Sequence, residues 1–392
     1  MYSRLKKSNF LSFFYFILFS NFFYFLIIFL DWPLLKLTKM RAADDYEDLY
    51  AVYRFKDCFA NFGYNFTDKI SHPDCAGFVY NYQLLKILNL DILSNISPQQ
   101  FMIFQLTLYI GLFGYLYAFV AKSKATRILT YFLLLSPSSQ LLLERGNFDA
   151  IMIALIVAAS FMISKNKLVL AAITIVFGAM LKFYTLPLFL FVYQKAKNAL
   201  TKSTVILSFL LAVYFSYREY SMLREKTLKT YCCSFGNEVF GLYLNRLGFT
   251  LNSVEVILFG WLMIIFSIFF VRSASYSKIA TCVPTFKSYD SAHSSIFLPL
   301  MLIFSSLYFT GTNFDYKLQI LSLAQLVYLN VCSDLSERRT HLVYCVLIQL
   351  FSYSSMELQP FGDLLIILYV SSLFLAMFRR NHLYLLKLKT IS

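Results

Sequence analysis

Long apolar runs alternate with short polar segments along most of the chain. A helix needs about 20 apolar residues to cross a hydrocarbon core of roughly 30 Å. We therefore expect an all-α integral membrane protein with about 12 transmembrane helices, folded as a single membrane domain over residues 1–392. The apolar runs are 10–30, 100–121, 127–143, 150–164, 168–182, 186–194, 203–217, 254–271, 294–309, 318–332, 341–353 and 363–378.

The composition agrees with a membrane protein. Of the 392 residues, 59% are hydrophobic and 19% are aromatic, a balance that excludes an ordinary soluble domain. The run at 10–30 follows Arg4, Lys6 and Lys7 and contains bulky aromatic residues with no small-residue cleavage site. It therefore predicts a retained anchor and not a signal peptide.

The net charge of +14 comes from basic residues in short clusters between the apolar runs. A nucleic-acid-binding protein would gather them on one face, so nucleic acid is not an expected partner. Short basic clusters mark cytoplasmic connections, and here they fall on alternate connections if both termini are cytoplasmic. Residues 218–229 are the exception, in a longer outer segment. The clusters are Lys122/Lys124/Arg127, Lys165/Lys167, Lys195/Lys197/Lys202, Arg272/Lys278/Lys287, Arg338/Arg339 and Arg379/Arg380/Lys387/Lys389.

This topology brings four polar stretches to the extracytoplasmic side, at 44–48, 144–149, 182–184 and 313–317. They come from distant parts of the chain, and we expect them to line one cavity. The largest outer segment is the loop at 31–99. It is too small for a separate enzyme domain, and its size fits a lid or a pair of interfacial helices.

The first outer loop carries three aspartates, Asp44, Asp45 and Asp48. A carboxylate held within hydrogen-bond reach of an acceptor hydroxyl can act as a general base. The alternative is a solvated helix start, because Asp favours the positive end of the helix dipole. The residues alone leave both interpretations open.

The polar stretch 144–149 separates two apolar runs and contains Glu144, Arg145, Asn147 and Asp149. An ionisable group costs roughly 2.5–3.5 kcal/mol at the centre of a membrane helix, so we expect this stretch at an interface or in a wet cavity. A structural interpretation makes Asn147 the N-cap of the next helix, with Asp149 in its first turn and Glu144 as a counter-charge. A functional interpretation makes Arg145 a fork-shaped phosphate ligand.

Two lysines lie at the predicted outer edges of apolar runs. Lys182 is followed by Tyr184, and Lys317 comes directly after Asp315 and Tyr316. A lysine at the end of a span commonly extends its ammonium group to the interface. Two or three cations together can instead hold the phosphate of a lipid-linked sugar. Both interpretations remain open for each lysine.

Two cysteines, Cys58 and Cys75, lie in the first outer loop. A disulfide between them would close about 17 residues and stabilise the fold by about 3 kcal/mol in the chain-entropy model. We hypothesise that this bond forms.

The sequence contains no His/Cys spacing typical of a metal site, so no metal ligands are predicted. Acidic clusters can hold Mg²⁺ or Mn²⁺ through oxygen, which leaves the need for a divalent metal open, although no cofactor is required. The sequence also lacks a glycine-rich nucleotide loop. A mechanism that uses cytoplasmic ATP or a nucleotide sugar is therefore disfavoured.

A family resemblance rests on the order of these motifs. Glu144-Arg145-Gly146-Asn147-Phe148-Asp149 is followed by an apolar run, a basic turn, another run and Leu181-Lys182-Phe183-Tyr184-Thr185-Leu186-Pro187. This order resembles the DUF2029-type, GT87-like branch of the GT-C glycosyltransferases. The likeness extends to 48–53, 80–82 and 314–318. Two departures are Gln83 and Thr185, where that family commonly has Pro, and a third is Lys317, where Arg is commoner.

The resemblance implies a GT-C-like enzyme that moves a hexose, with mannose one candidate, from a polyprenyl-phosphate donor to a glycan or lipid acceptor on the extracytoplasmic face. It implies that the catalytic base is Asp44, Asp45 or Asp48. It also implies that the donor phosphate is bound by Arg145, Lys182 and Lys317. The supporting residues would be Glu144, Asn147, Asp149, Tyr184, Asp315 and Tyr316.

Two other functions fit parts of the sequence. A transporter or flippase of a lipid-linked sugar would also have many spans and intramembrane charges. A polysaccharide polymerase would join lipid-linked oligosaccharides and would require a lipid-diphosphate donor. The sequence shows no retention signal, which favours a bacterial plasma membrane over an endoplasmic reticulum.

Overall fold

The fold was obtained as a computed structural model. It describes residues 2–29, 47–62, 82–121, 123–226, 234–235, 238–273, 294–309, 313–314, 317–332, 334–354 and 359–389. For Asp48 and Glu144 it describes the backbone only.

The described residues are almost entirely helical. The helices are α1 Tyr2–Phe29, α2 Glu47–Phe62, α3 Tyr82–Leu88, α4 Asp91–Ser94, α5 Pro98–Tyr115, α6 Lys124–Leu134, α7 Pro137–Glu144, α8 Asp149–Ser164, α9 Leu168–Leu181, α10 Phe189–Lys195, α11 Ala199–Lys226, α12 Val239–Arg246, α13 Ser253–Ser273, α14 Ser294–Phe309, α15 Leu318–Val331, α16 Leu335–Ser354 and α17 Gln359–Lys389. A π-helical turn, Leu116–Val120, follows α5, and a 3₁₀ helix, Phe183–Leu188, precedes α10.

Two short strands are the exception among the described residues. They are β1 Ser234–Phe235 and β2 Asn313–Phe314, which pair antiparallel. Ser234 lies opposite Phe314, and Phe235 lies opposite Asn313. The pairing joins two segments that are far apart in sequence within an otherwise all-α fold.

Four of the described helices are long and apolar enough to cross a membrane, at Pro98–Val120, Ala199–Tyr217, Ser253–Arg272 and Gln359–Ala376. Five further apolar helices are shorter, with 10–17 residues each: Asn9–Phe22, Asp149–Ser164, Leu168–Leu181, Ile296–Tyr308 and Leu318–Asn330. The protein is therefore a helical membrane protein. The predicted count of about 12 transmembrane helices is wrong for the structure described.

The excess in the predicted count has a physical cause. An apolar run predicts a buried or lipid-facing segment but does not fix the length of the helix within it. The run 127–143 is broken at Pro137, where α6 has ended and α7 begins, because a residue before proline disfavours helical backbone. The run 186–194 is likewise divided, with Pro187 inside the 3₁₀ helix that precedes the short α10.

The surfaces of two long helices agree with a membrane location. Leu207 and Leu210 on α11 are exposed, as are Leu262, Phe266 and Phe269 on α13. Large apolar side chains in such number on one helix are unusual on a protein surface in water. A surrounding hydrocarbon phase removes that cost, so we assign these faces to lipid.

Contacts divide the chain into two compact units. Unit 1 comprises Met1–Ala118 and Ser139–Leu228, and unit 2 comprises Phe119–Ser138 and Lys229–Ser392. The single membrane domain expected from the sequence stays a prediction.

Small residues allow close helix packing in unit 1. Helix α9 packs against both α8 and α11, and α1 packs against α5. A Cβ atom added at Gly114 on α5 would lie 2.9 Å from the Ile17 side chain on α1. Ala171, Ala172 and Ala179 on α9 are buried. Such residues let backbones approach where apolar lipid gives no drive for association.

In unit 2, α15 is the central element. It packs against α14, α16 and α6, and its residues from Leu318 to Leu329 are all buried. Helices α16 and α17 pack against each other, and α17 also contacts α13 and α12. A helix that is buried on every side fits the core of a bundle.

Candidate functional site

The polar stretch 144–149 forms a tight turn between α7 and α8. The Asn147 N–H donates to the carbonyl of Leu142 at 3.2 Å, and the Gly146 N–H donates to the carbonyl of Leu143 at 3.0 Å. This pair of bonds is a Schellman motif, which requires left-handed backbone at the residue after the helix. Gly146 supplies that backbone with φ of 60°. The sequence therefore stops α7 beside Arg145, whose side chain is half-exposed.

The start of α8 is fixed by Asn147. Its Oδ1 accepts the backbone N–H of Asp149 at 3.0 Å, which satisfies one of the unpaired donors at a helix start. The helix itself begins at Asp149, and Phe148 occupies the N-cap position. The prediction that Asn147 is the N-cap is therefore wrong, although its side chain accepts a helix-start N–H from two residues before the helix begins. Asp149, in the first turn as predicted, is completely buried.

Lys182 lies directly after the last residue of α9 and reaches the start of α8. Its Nζ lies 2.9 Å from Asp149 Oδ1 and 2.9 Å from Asn147 Oδ1. The Lys182 side chain is 15% exposed, whereas that of Asp149 is 0% exposed. A lysine free to extend into the interface would not be held by two buried oxygens. The pair therefore ties the end of α9 to the beginning of α8.

The 3₁₀ helix after Lys182 contributes a second contact to Asp149. The Tyr184 hydroxyl donates to Asp149 Oδ1 in a short hydrogen bond, and its side chain is buried. The next residue, Thr185, donates to the carbonyl of Ile175 at 3.2 Å. Its side chain also fills the space beside Gly178, where an added Cβ would lie 2.9 Å from Thr185 Cγ2. Thr185 therefore fixes the 3₁₀ helix against α9 without the proline expected there.

The helix of the first outer loop reaches the same region of unit 1. Helix α2 contacts α5, and the Tyr53 ring lies 6.4 Å from that of Phe101, which lies 5.1 Å from that of Phe148. Burial raises the pKa of the Tyr53 hydroxyl above its ordinary value, so it stays protonated at neutral pH. Its oxygen has no hydrogen-bond partner within the described part of the chain. A continuous row of aromatic rings thus connects α2 to the residue before Asp149.

Helix α2 is anchored by its other face. Leu49, Val52 and Phe55 are buried, and the Lys56 ammonium donates to the carbonyl of Ser94 at 2.9 Å. The opposite face carries charged Arg54 and Asp57, both exposed. Helix α2 therefore has one buried face and one charged face, and the interfacial, extracytoplasmic position of this loop stays a prediction.

The remaining predicted residues are only partly described. Asp44, Asp45, Asp315, Tyr316 and Cys75 lie outside the described residues, as do the side chains of Asp48 and Glu144. Lys317 is half-exposed, precedes α15 and belongs to unit 2. Cys58 is disulfide-bonded, and its partner lies outside the described residues, so the pairing with Cys75 stays a prediction.

The arrangement changes the chemistry available to the predicted cations. Asp149 compensates the charge of Lys182, so the pair adds little net attraction for a phosphate. Arg145, two residues before Asn147, carries its guanidinium on a fixed turn, and a guanidinium can form two parallel bonds to phosphate oxygens. In the described ranges no three His, Cys, Asp or Glu side chains lie close enough together to hold a metal ion.

Sequence reasoning missed a second polar cluster, in unit 2. Helix α15 carries a polar residue at every third position, at Gln319, Ser322, Gln325 and Tyr328, and all four are buried. Gln349 on α16 donates to Ser322 at 2.8 Å, and Ser138 donates to Gln349 at 2.9 Å. Tyr328 donates to Glu337, also buried, on α16. The regular spacing was the signal that could have revealed this cluster.

No protein-family model, curated protein or solved structure matches the chain.

Proposed function

We propose that the protein is a GT-C-type glycosyltransferase that transfers a hexose from a polyprenyl phosphate to a glycan or lipid acceptor. Arg145 binds the donor phosphate as the main cation, on the turn that the pair of Asp149 and Lys182 holds in place. One of Asp44, Asp45 and Asp48 removes the proton from the acceptor hydroxyl. The first loop faces the extracytoplasmic side of a bacterial plasma membrane, and both termini are cytoplasmic.

One observation carries this proposal. The buried pair of Asp149 and Lys182 fixes the turn that presents Arg145, in a region that also receives α2 of the first outer loop. A phosphate leaving group gains negative charge as its bond to the sugar breaks. A cation that is already in position stabilises this charge better than one that must first move into place. Arg145 on a rigid turn meets this requirement better than a cation on a long flexible segment.

The test uses the purified full-length protein in liposomes. Polyprenyl-phosphate mannose, glucose and galactose, each with labelled sugar, are supplied with a lipid and glycan extract of the native membrane as acceptor. We expect one hexose to move to a product while polyprenyl phosphate accumulates. Arg145→Ala should lower this rate by about 10²- to 10³-fold, the usual effect of removing one charge-stabilising donor.

The base is identified by three separate variants, Asp44→Asn, Asp45→Asn and Asp48→Asn. Asp57→Asn is the matched control, because Asp57 is an exposed aspartate on α2. One of the three should abolish transfer while the control keeps the wild-type rate. Folded protein that moves no label from any donor, or full activity in Arg145→Ala and all three aspartate variants, would refute the proposal.

A second candidate is a transporter of a lipid-linked sugar, which is favoured by the buried Glu337 and His341 in unit 2. Ionisable groups inside membrane bundles commonly lie on solute or proton pathways. The same liposomes distinguish the two functions. Transport moves intact donor lipid or solute between the two sides of the bilayer, whereas a transferase attaches the labelled sugar to a new acceptor.

A further inference from the structure

Five lysines lie in unit 1 at the connections that join α8 to α9 and α10 to α11. Between Asp149 and Glu219 the chain contains no aspartate or glutamate, so this stretch carries positive charge alone. We call the five residues the basic end of unit 1. They are Lys165, Lys167, Lys195, Lys197 and Lys202.

Both connections lie at the same end of these helices. The bond from Lys182 to Asp149 brings the end of α9 to the start of α8, so the connection between the two helices lies at their far end. The chain turns back at Thr185, which donates to the carbonyl of Ile175 on α9. Helix α9 rises about 21 Å, and the 3₁₀ helix together with α10 rises about 22 Å. The end of α10 therefore returns to the level of the connection between α8 and α9.

Ring contacts fix the register of α10 against α11. The Phe189 and Phe209 rings lie 5.7 Å apart, and nearer the connection Lys202 Nζ lies 5.6 Å from the centre of the Tyr193 ring. The two helices are thus antiparallel, and α11 also packs against α9. The candidate site and the basic end therefore lie at opposite ends of α8 and α9.

The connection between α8 and α9 holds its lysines on a fixed backbone. The Lys167 N–H donates to the carbonyl of Met162 at 2.9 Å, and the Asn166 N–H donates to that of Ile163 at 3.1 Å. This is a Schellman motif, with Asn166 in left-handed backbone at φ of 56°. Lys165 and Lys167 flank Asn166, and both are exposed. The turn therefore presents two exposed cations two positions apart.

Helix stability explains only part of this arrangement. A cation is favourable near the end of a helix, which accounts for Lys165 after α8 and Lys195 in the last turn of α10. Lys167 instead occupies the N-cap position of α9, and Lys202 lies near the start of α11. The positive end of the helix dipole disfavours a cation at both places. Lys197 is exposed between two helices. An anion bound at this end would offset the repulsion.

The helices beside the basic end expose large apolar side chains. Val169 and Ile173 on α9 are exposed, as are Leu190 on α10 and Leu200 on α11. These faces continue the lipid-facing surface of α11, so the lysines lie next to hydrocarbon and at the depth of lipid headgroups. The other helices that pack against α8 and α9 are α3 and α5, and neither contains an acidic residue.

We infer that the basic end of unit 1 binds the anionic headgroups of phospholipids in the adjoining leaflet, which the predicted topology makes cytoplasmic. The observation that carries this inference is the meeting of two lysine-bearing connections at one end of an acid-free group of helices. Glu219 lies 20 residues along α11, about 30 Å from its start. A soluble acidic partner would match the charge alone, whereas a phospholipid also matches the adjacent apolar faces. The inference is independent of the proposed transferase activity.

The test measures which lipids contact position 193 of the full-length protein in bilayers. Trp32→Phe and Trp261→Phe remove both native indoles, and Tyr193→Trp places a single fluorescent reporter at an exposed position beside Lys202. Brominated lipids quench the indole on contact. Brominated phosphatidylglycerol should bind at least about 5-fold more tightly than brominated phosphatidylcholine, the attraction expected from one lysine near the surface.

Salt and charge removal both test the origin of this preference. Sodium chloride at about 1 M shortens the Debye length to about 3 Å and should reduce the preference to less than about 2-fold. The triple variant Lys165→Gln/Lys167→Gln/Lys197→Gln in the reporter protein should reduce it equally, because it removes the three exposed lysines of the basic end.

The matched control removes three exposed cations elsewhere in the chain. It should keep the preference of the reporter protein, and it is Arg54→Gln/Lys86→Gln/Arg246→Gln. Equal quenching by the two lipids in the reporter protein would overturn the inference. A preference that persists in high salt or in the lysine variant would also overturn it, as would an equal loss in the control. The salt measurement needs no lysine substitution, so the inference stays open to refutation even if the lysine variant fails to fold.

Discussion

Both units bury charged side chains, but they pair those charges in different ways. In unit 1, Asn147, Asp149 and Lys182 lie at helix ends, where unpaired backbone N–H groups help to bind side-chain oxygens. In unit 2, Glu337 lies in the first turn of α16 and His341 one turn further along, and tyrosine hydroxyls of the neighbouring helices α15 and α17 contact their side chains. The charges of unit 1 therefore pair directly across two helix ends, whereas those of unit 2 also take hydroxyl partners from two neighbouring helices.

We expect the largest loss of stability from a substitution in the unit 1 ion pair, Asp149 with Lys182. Asp149→Asn keeps the size of the side chain but leaves the Lys182 ammonium without its counter-charge. We expect the free energy of unfolding to fall by about 3–5 kcal/mol, the usual cost of breaking a buried pair. Reversible unfolding in mixed micelles measures this change in the free energy of unfolding.

Two variants accompany that measurement. Asp57→Asn, at an exposed position of α2, should change the free energy of unfolding by no more than about 0.5 kcal/mol. Asp149→Asn combined with Lys182→Met removes both charges and should lose less than the sum of the single variants. Additive losses would mean that the two residues do not act as a pair.

A smaller effect is expected from the tyrosine that supports the same carboxylate. Tyr184→Phe removes one hydrogen bond to Asp149 and leaves Lys182 in place. The free energy of unfolding should fall by about 1.5–3 kcal/mol, as for other hydrogen bonds to a charged group. Tyr193→Phe, at an exposed tyrosine of α10, serves as the control. Equal losses in the two variants would show that the Tyr184 hydroxyl contributes nothing through Asp149.

The smallest loss of stability should come from a neutral residue of the polar cluster in unit 2. Gln349→Leu removes the hydrogen bonds to Ser322 and Ser138 without stranding a charge. Hydrogen bonds between membrane helices are worth about 0.6 to 1.7 kcal/mol, and we expect a loss of that size. Val343→Ala, at an exposed position of α16, provides the baseline. If Gln349→Leu lowered the free energy of unfolding as much as Asp149→Asn, charged and neutral clusters would not differ in their contribution to stability.

The membrane class and the unit 1 polar turn could both be read from the sequence. Apolar composition alone predicts a helical membrane protein, and a group such as Asn147, Gly146 and Asp149 between two apolar runs has few structural solutions other than a helix end and a helix start. The number of spans could not be obtained this way. Pro137 and Pro187 divide apolar runs locally, and hydropathy averaged over a run does not register one residue.

The pairing of Lys182 with Asp149 was beyond sequence reasoning for a different reason. The two residues are 33 positions apart, and their contact depends on how α8 and α9 pack. Local patterns placed both near helix ends but gave no partner for either. Hydropathy did not reveal the polar cluster in unit 2 because Gln319, Ser322 and Gln325 carry no charge. They lower the mean hydropathy of the apolar run only slightly. Their spacing becomes meaningful only once α15 is known to be buried on every side.

The amide oxygen of Asn147 accepts two hydrogen bonds, one from the Asp149 backbone and one from Lys182. One side chain therefore serves both the local folding of α8 and the placement of a distant cation. Evolution cannot adjust these two properties separately by changing residue 147. A lineage that altered the charge at 182 would retain Asn147 for the helix, whereas one that lost Asn147 would have to repair both at once. Position 147 is thus a point of low evolvability, set by the geometry of a single atom.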